Sequence, residues 1–226
     1  MSDAESPKTR AVTYIVWGQI LFVLFVAVCV ALHPGIVLKS NEGGVSNYGI
    51  HVKTAVPYTL ALGLLAFYSR RAAVLYSKSD AVTRRLRRVL TTYSVIVIVM
   101  LFSTYVYSLN HVLRDIHISF GTVLITFESI AAIWMFGRIR RTWDGVFLAT
   151  QVAGALLALI TIVGVLHVLF LAEELANTGF ACLLIHTSRG IALGDRMESE
   201  LPRSLAPPPI RRLKLAFFRA EYSPER

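Results

Sequence analysis

Glu128 is a single carboxylate near the middle of an apolar run at residues 117–136, HISFGTVLITFESIAAIWMF, and His117 opens that run. On an α-helix their spacing brings both side chains to nearly the same face, about 16 Å apart along the axis. A run of this length spans a hydrocarbon core about 30 Å thick, with Glu128 close to the midplane. A charged carboxylate there costs on the order of 2.5–3.5 kcal/mol on insertion scales, so Glu128 is expected to face other helices or a wet cavity. Desolvation disfavours the charged form, and the expected state is the protonated acid. Such a group either titrates in the course of function or hydrogen-bonds a neighbouring span and serves packing; the spacing alone allows both.

Other residues with chemistry gather at one side of the apolar runs. Ser46 and Asn47 lie in a polar loop, His111, Asp115 and His117 surround the start of the run above, and Glu173 and Glu174 lie near the start of the last apolar run. Together with Glu128 they form the candidate site for a lipid or a membrane partner. The spacing His111-x3-Asp115-x-His117 could present imidazole and carboxylate to a divalent metal, with Glu173 or Glu174 completing the set. The same residue types also occur as ordinary interfacial hydrogen-bonding groups. Nothing marks Ser46 as an activated nucleophile. No catalytic residue and no cofactor is assigned.

The elements that must position these groups are helices in a membrane. Of 226 residues, 55 % are hydrophobic and only 16 % charged, with a mean hydropathy of +0.59, which is the composition of a membrane protein. The expected fold is all-α, a polytopic bundle of six transmembrane helices at about 11–32, 54–73, 89–108, 117–136, 144–165 and 168–188. Residues 1–10 form a cytoplasmic start, and 189–226 a basic cytoplasmic tail with an interfacial helix expected at 210–222. Pro34 ends the first span, and Pro57 is expected in the first turn of the second, where spare N–H groups tolerate it. The turn between the last two spans is expected near 164–168. Glu173 and Glu174 then fall at the interface. The small residues Ala149, Ala153, Gly154 and Ala158 would let the fifth span approach a neighbour closely.

Charge fixes the expected orientation. Arg70, Arg71, Arg84, Arg85, Arg87 and Arg88 flank the second and third spans, and Arg138, Arg140 and Arg141 follow the fourth. With both termini cytoplasmic, twenty of the 23 Lys and Arg residues are inside; Lys39, Lys53 and Arg114 are outside. The net charge of +9 therefore reads as topogenic and lipid-facing, toward anionic headgroups, and nucleic acid is not an expected partner. Cys29 and Cys182 fall toward opposite faces and read as small packing residues. Arg outnumbers Lys eighteen to five, which points to a GC-rich bacterial source and hence a multi-pass protein of the bacterial inner membrane.

Several local features resemble the Frag/DRAM six-span membrane family and its bacterial relatives of unassigned function. His33-Pro34-Gly35 followed by Ser46-Asn47-Tyr48-Gly49 is similar to that family's first loop. His117 with Gly121 four residues on resembles its fourth-span mouth, and Glu173 or Glu174 its early sixth-span carboxylate. The chain departs from the pattern at Ile125, where the family has an aromatic, and Glu128 has no counterpart there. The resemblance covers residues 11–188 and implies a role in lipid handling, remodelling or scaffolding.

The leading expectation is a non-catalytic membrane protein that binds lipid, another membrane protein or a second copy of itself through the outer polar site and Glu128. One alternative is a proton-coupled small transporter using Glu128. The other is a membrane-embedded lipid hydrolase or transferase using His, Asp and Glu.

Overall fold

The computed structural model describes residues 6–39, 44–76, 80–137 and 143–200. In chain order the described elements are α1 (Pro7–Leu32), α2 (Gly35–Lys39), a 3₁₀ turn (Gly44–Ser46), α3 (Asn47–Ile50), α4 (Val52–Leu75), α5 (Ala81–Thr104), α6 (His111–Phe136), α7 (Asp144–Ile162) and α8 (Leu169–Glu200). No strand occurs among the described residues. The expected helix at 210–222 and the basic cluster Arg138, Arg140 and Arg141 lie outside them.

Helix ends follow local chemistry. Ser6 caps α1, its Oγ accepting from the Thr9 N–H at 3.2 Å, with Pro7 in the first turn. Asp80 caps α5 through the Thr83 N–H at 2.9 Å, and Asn110 caps α6 through the Leu113 N–H at 2.9 Å. After α7, Gly164 takes φ +82°; its N–H reaches the Thr161 carbonyl and the Val165 N–H the Ile160 carbonyl, the two bonds of a Schellman stop. That stop sets the turn before α8.

Several boundaries differ from expectation for identifiable reasons. The third span ends at Thr104, because residues 105–109 tighten into i→i+3 turns such as Val106 N–H to Ser103 O at 3.2 Å. The Asn110 cap starts α6 at His111, so His111, Arg114 and Asp115 lie on a helix and not in a loop. Helix α8 runs past Ser188 to Glu200, since that segment holds no proline. Pro57 lies inside α4, deeper than its first turn.

The long helices pack in chain order, α1 on α4, α4 on α5, α5 on α6, α6 on α7 and α7 on α8; α8 then closes against α1 and α6. Tyr58, Tyr93, Leu86, Leu90, Phe180 and Leu184 are fully buried between them. Outward faces are apolar, with Leu24, Phe102, Ile130, Val146 and Leu156 exposed. A surface of this kind needs a cover, and five helices are long and apolar enough to cross a membrane: α1, α5, α6, α7 and the Leu169–Gly194 part of α8. The 24-residue α4 is more polar, diluted by Thr54, Pro57, Thr59 and Ser69.

Helices α7 and α8 cross with their backbones in close approach. A Cβ at Gly154 would run into the backbone of Ala176, and one at Gly179 into the backbone of Gln151 and Phe147. Gly154 and Ala158 face α8, whereas Ala149 and Ala153 point outward, so only half of the expected small-residue stripe is used. Gly154→Leu should therefore lose about 1–3 kcal/mol of stability or more, as overpacking does, while Ala153→Leu should change little. Thermal unfolding of the detergent-purified variants, side by side, checks the difference.

Candidate functional site

Polar side chains from five elements converge inside the bundle near the first-loop end. Glu128 comes from α6, Glu173, Glu174 and Asn177 from α8, Tyr58 from α4, Tyr93 from α5 and Ser46 from the 3₁₀ turn. All line one cavity of about 80 Å³, walled otherwise by apolar residues such as Phe22, Val97 and Leu124. The register of α8 explains the grouping: Glu173 and Asn177 are one turn apart on the same stripe, and Glu174 is the next position round.

Each wall is pinned by hydrogen bonds. Glu173 Oε2 accepts from the Val45 N–H at 2.8 Å, tying the first loop to α8 across the cavity. Gly44 makes the approach possible. It adopts φ +53°, and any side chain there would strike the Glu173 carboxylate. Tyr58 OH pairs with Thr104 Oγ1 at 2.9 Å and reaches Ser46 Oγ at 3.5 Å. Tyr93 OH donates to Asn177 Oδ1 at 3.1 Å. Glu128 is only 3 % exposed; the Gln151 amide from α7 stands beside its carboxyl and also donates to Ser129 Oγ at 3.4 Å. Glu174 Oε1, Gln19 Oε1 and Gln151 Oε1 are buried without a protein partner among the described residues. A buried oxygen without a protein partner is commonly met by ordered water, and the cavity that Glu174 lines has room for several.

A second network closes the same end. Tyr107 OH donates to Asn47 Oδ1 at 2.6 Å, and its ring stacks on His117 with centroids 4.7 Å apart. His117 Nδ1 lies 2.7 Å from Ser103 Oγ, whose hydroxyl also reaches the Met100 carbonyl at 2.9 Å. A hydroxyl has one hydrogen, so with that hydrogen on the carbonyl the imidazole donates from Nδ1.

Of the residues singled out from sequence, Ser46, Glu128, Glu173 and Glu174 share the cavity, and Asn47 and His117 join the adjoining network. His111 and Asp115 are exposed and join neither. The metal set His111, Asp115 and His117 does not assemble; among the described residues no group of three His, Cys, Asp or Glu could hold a metal ion. The reason is periodicity. On a helix, positions two apart point to opposite sides, and His117 turns inward while Asp115 turns out. Glu173 and Glu174 are cavity-lining, not interfacial, because α8 starts at Leu169 and winds both inward.

Sequence reasoning missed Tyr58, Tyr93 and Gln151. Their signal was a polar atom deep in an apolar run, which demands a partner. It also missed the pair at the opposite end, where His186 Nδ1 lies 2.8 Å from the buried Asp144 Oδ1, with Phe147 edge-on to the imidazole. Positions 144 and 186 each lie 21 residues from Val165, so an antiparallel hairpin brings them level. Of the basic residues, Arg71 covers the Phe67 ring and Arg85 the Trp134 ring, while Arg70, Arg84 and Arg88 are exposed.

Removing the Tyr107–Asn47 bond should cost about 0.5–1.5 kcal/mol. A double-mutant cycle of Tyr107→Phe and Asn47→Ala, read by denaturation in detergent, should give a coupling of that order, and strictly additive losses would deny the bond.

No protein-family model, curated protein or solved structure matches the chain.

Proposed function

We propose that the chain is a six-span membrane protein, both ends cytoplasmic, that takes up and releases protons at the carboxylate cavity of Glu128, Glu173 and Glu174. The observation that carries this reading is the convergence of three acids from two helices on one small cavity in an otherwise apolar bundle. Intramembrane ionisable residues mark ion and proton relays by default. The volume fits this use. About 80 Å³ accommodates a few waters through which carboxyls and tyrosine hydroxyls exchange protons, whereas pockets for organic ligands run to roughly 300–1,000 Å³.

The sixth span in this reading is α4. It packs against both α1 and α5, each of membrane-spanning length, and its 24 residues are long enough to cross between them, which supports this reading. Arg70 and Arg71 at its end and Arg84, Arg85, Arg87 and Arg88 at the start of α5 support a cytoplasmic side there. Of the outer polar residues first expected to hold a lipid, Asn47, His117 and Glu173 are engaged by Tyr107, Ser103 and the Val45 N–H, which favours the cavity as the working part.

In proteoliposomes under an imposed potential, with a pH-sensitive dye inside, the parent protein should conduct protons and Glu128→Gln should reduce the flux at least about tenfold, a barrier change of about 1.4 kcal/mol. Gln keeps the shape and removes the titrating proton. A parent protein without flux above empty vesicles would defeat the proposal.

A further inference from the structure

A second site lies outside the carboxylate cavity, at the junction of α1 and α4. An open depression of about 500 Å³ is lined by His33, Gly35, His51, Val52 and Lys53, with Leu32 at its rim. The two imidazoles face each other with centroids 4.8 Å apart and planes inclined by 37°. No acidic side chain lines the depression among the described residues. We infer that this depression binds a phosphate group, that of an anionic lipid headgroup or of a soluble phosphoester.

The donors suit that ligand. An imidazole offers at least one N–H and a lysine ammonium three, and among the described residues no carboxylate lines the depression to match them. Helix α4 begins at the same place. His51 is its N-cap but makes no side-chain bond to the first turn, so α4 opens toward the depression without a side-chain cap. The Val52 and Lys53 N–H groups at its start have no intrahelical acceptor, and the positive end of the helix dipole favours an anion there.

The local fold holds both histidines in place. Pro34 prevents α1 from continuing past His33. Thr54 fixes the return segment, its Oγ1 donating to the Tyr48 carbonyl at 2.6 Å and its N–H to the His51 carbonyl at 2.9 Å. The rim is apolar and outward-facing: Val52 is 93 % exposed and Val56 67 %. A lipid held by its phosphate could therefore lay its chains along Leu32 and Val56. The inference rests on the membrane reading and not on proton exchange at the cavity.

The test is native mass spectrometry of the full-length protein titrated with phosphatidylglycerol, with diacylglycerol, which has the chains and no phosphate, and with glycerol 3-phosphate. Phosphatidylglycerol should bind at least about tenfold more tightly than diacylglycerol, and His33→Gln/His51→Gln/Lys53→Gln should remove that preference. Val52→Asp, at a fully accessible position that burial does not constrain, should weaken it likewise and guards against a triple variant that fails to fold. Glycerol 3-phosphate lost in the same variants identifies a soluble phosphoester as a ligand; phosphatidylglycerol alone identifies the lipid. Glu128→Gln should leave the titration unchanged, which separates this site from the cavity. Equal binding of phosphatidylglycerol and diacylglycerol, or equal phosphatidylglycerol binding by parent and variants, overturns the inference.

Discussion

A polar side chain in a bundle with an apolar outer surface must find its partner inside, because hydrocarbon offers none. That constraint organises this chain. Tyr58 reaches Thr104, Tyr93 reaches Asn177, Gln151 reaches Ser129 and Glu173 reaches the Val45 N–H. These contacts join helices that are distant in sequence, and most of them surround one cavity. Among the described residues, the unmatched Glu174 Oε1 belongs to a side chain that lines this cavity.

Glu173 is central because it serves two structures at once. It is a wall of the cavity and the anchor of the first loop, and the 3₁₀ turn sits against it only because Gly44 has no side chain. The loop cannot leave its seat without freeing that carboxyl, and the carboxyl cannot swing into the cavity without freeing the loop. Ser46, brought in by the same turn, completes the wall and contacts Tyr58. Access from the first-loop end and the state of one cavity acid are therefore linked by a single hydrogen bond.

Spacing within one helix was legible from the amino-acid sequence. His117 and Glu128 do share the inward face of α6, at 5 % and 3 % exposed, as their separation requires. Relations that depend on where a helix starts were less so. Reading 109–116 as a loop left His111, Asp115 and His117 free to converge on a metal, and the Asn110 cap removes that freedom by making them helical. Relations between helices were not legible at all. A tyrosine in an apolar run reads as an interfacial ring, and only packing reveals that Tyr58 and Tyr93 are fully buried with their hydroxyls turned to the cavity. The His33–His51 pair was visible as two residues of one loop, but their approach depends on the packing of α1 against α4.

The helices around the cavity are not equally constrained, and this bears on how its contents could change. Helix α8 is locked to α7 through the backbone contacts at Gly154 and Gly179, and further along through His186 and Asp144. Helix α6 is held differently. His117 is buried at one end, and Glu128, Ala131, Ala132 and Met135 toward the other, while no side chain between 118 and 127 is fully buried. Few buried contacts mean low local stability, and the middle of α6 is a wall of that kind. Gly121 and Leu124 belong to that stretch and line the cavity with Glu173 and Glu174. A small shift of α6 against a fixed α8 would change the separation of Glu128 from the other two acids without disturbing the rest of the bundle.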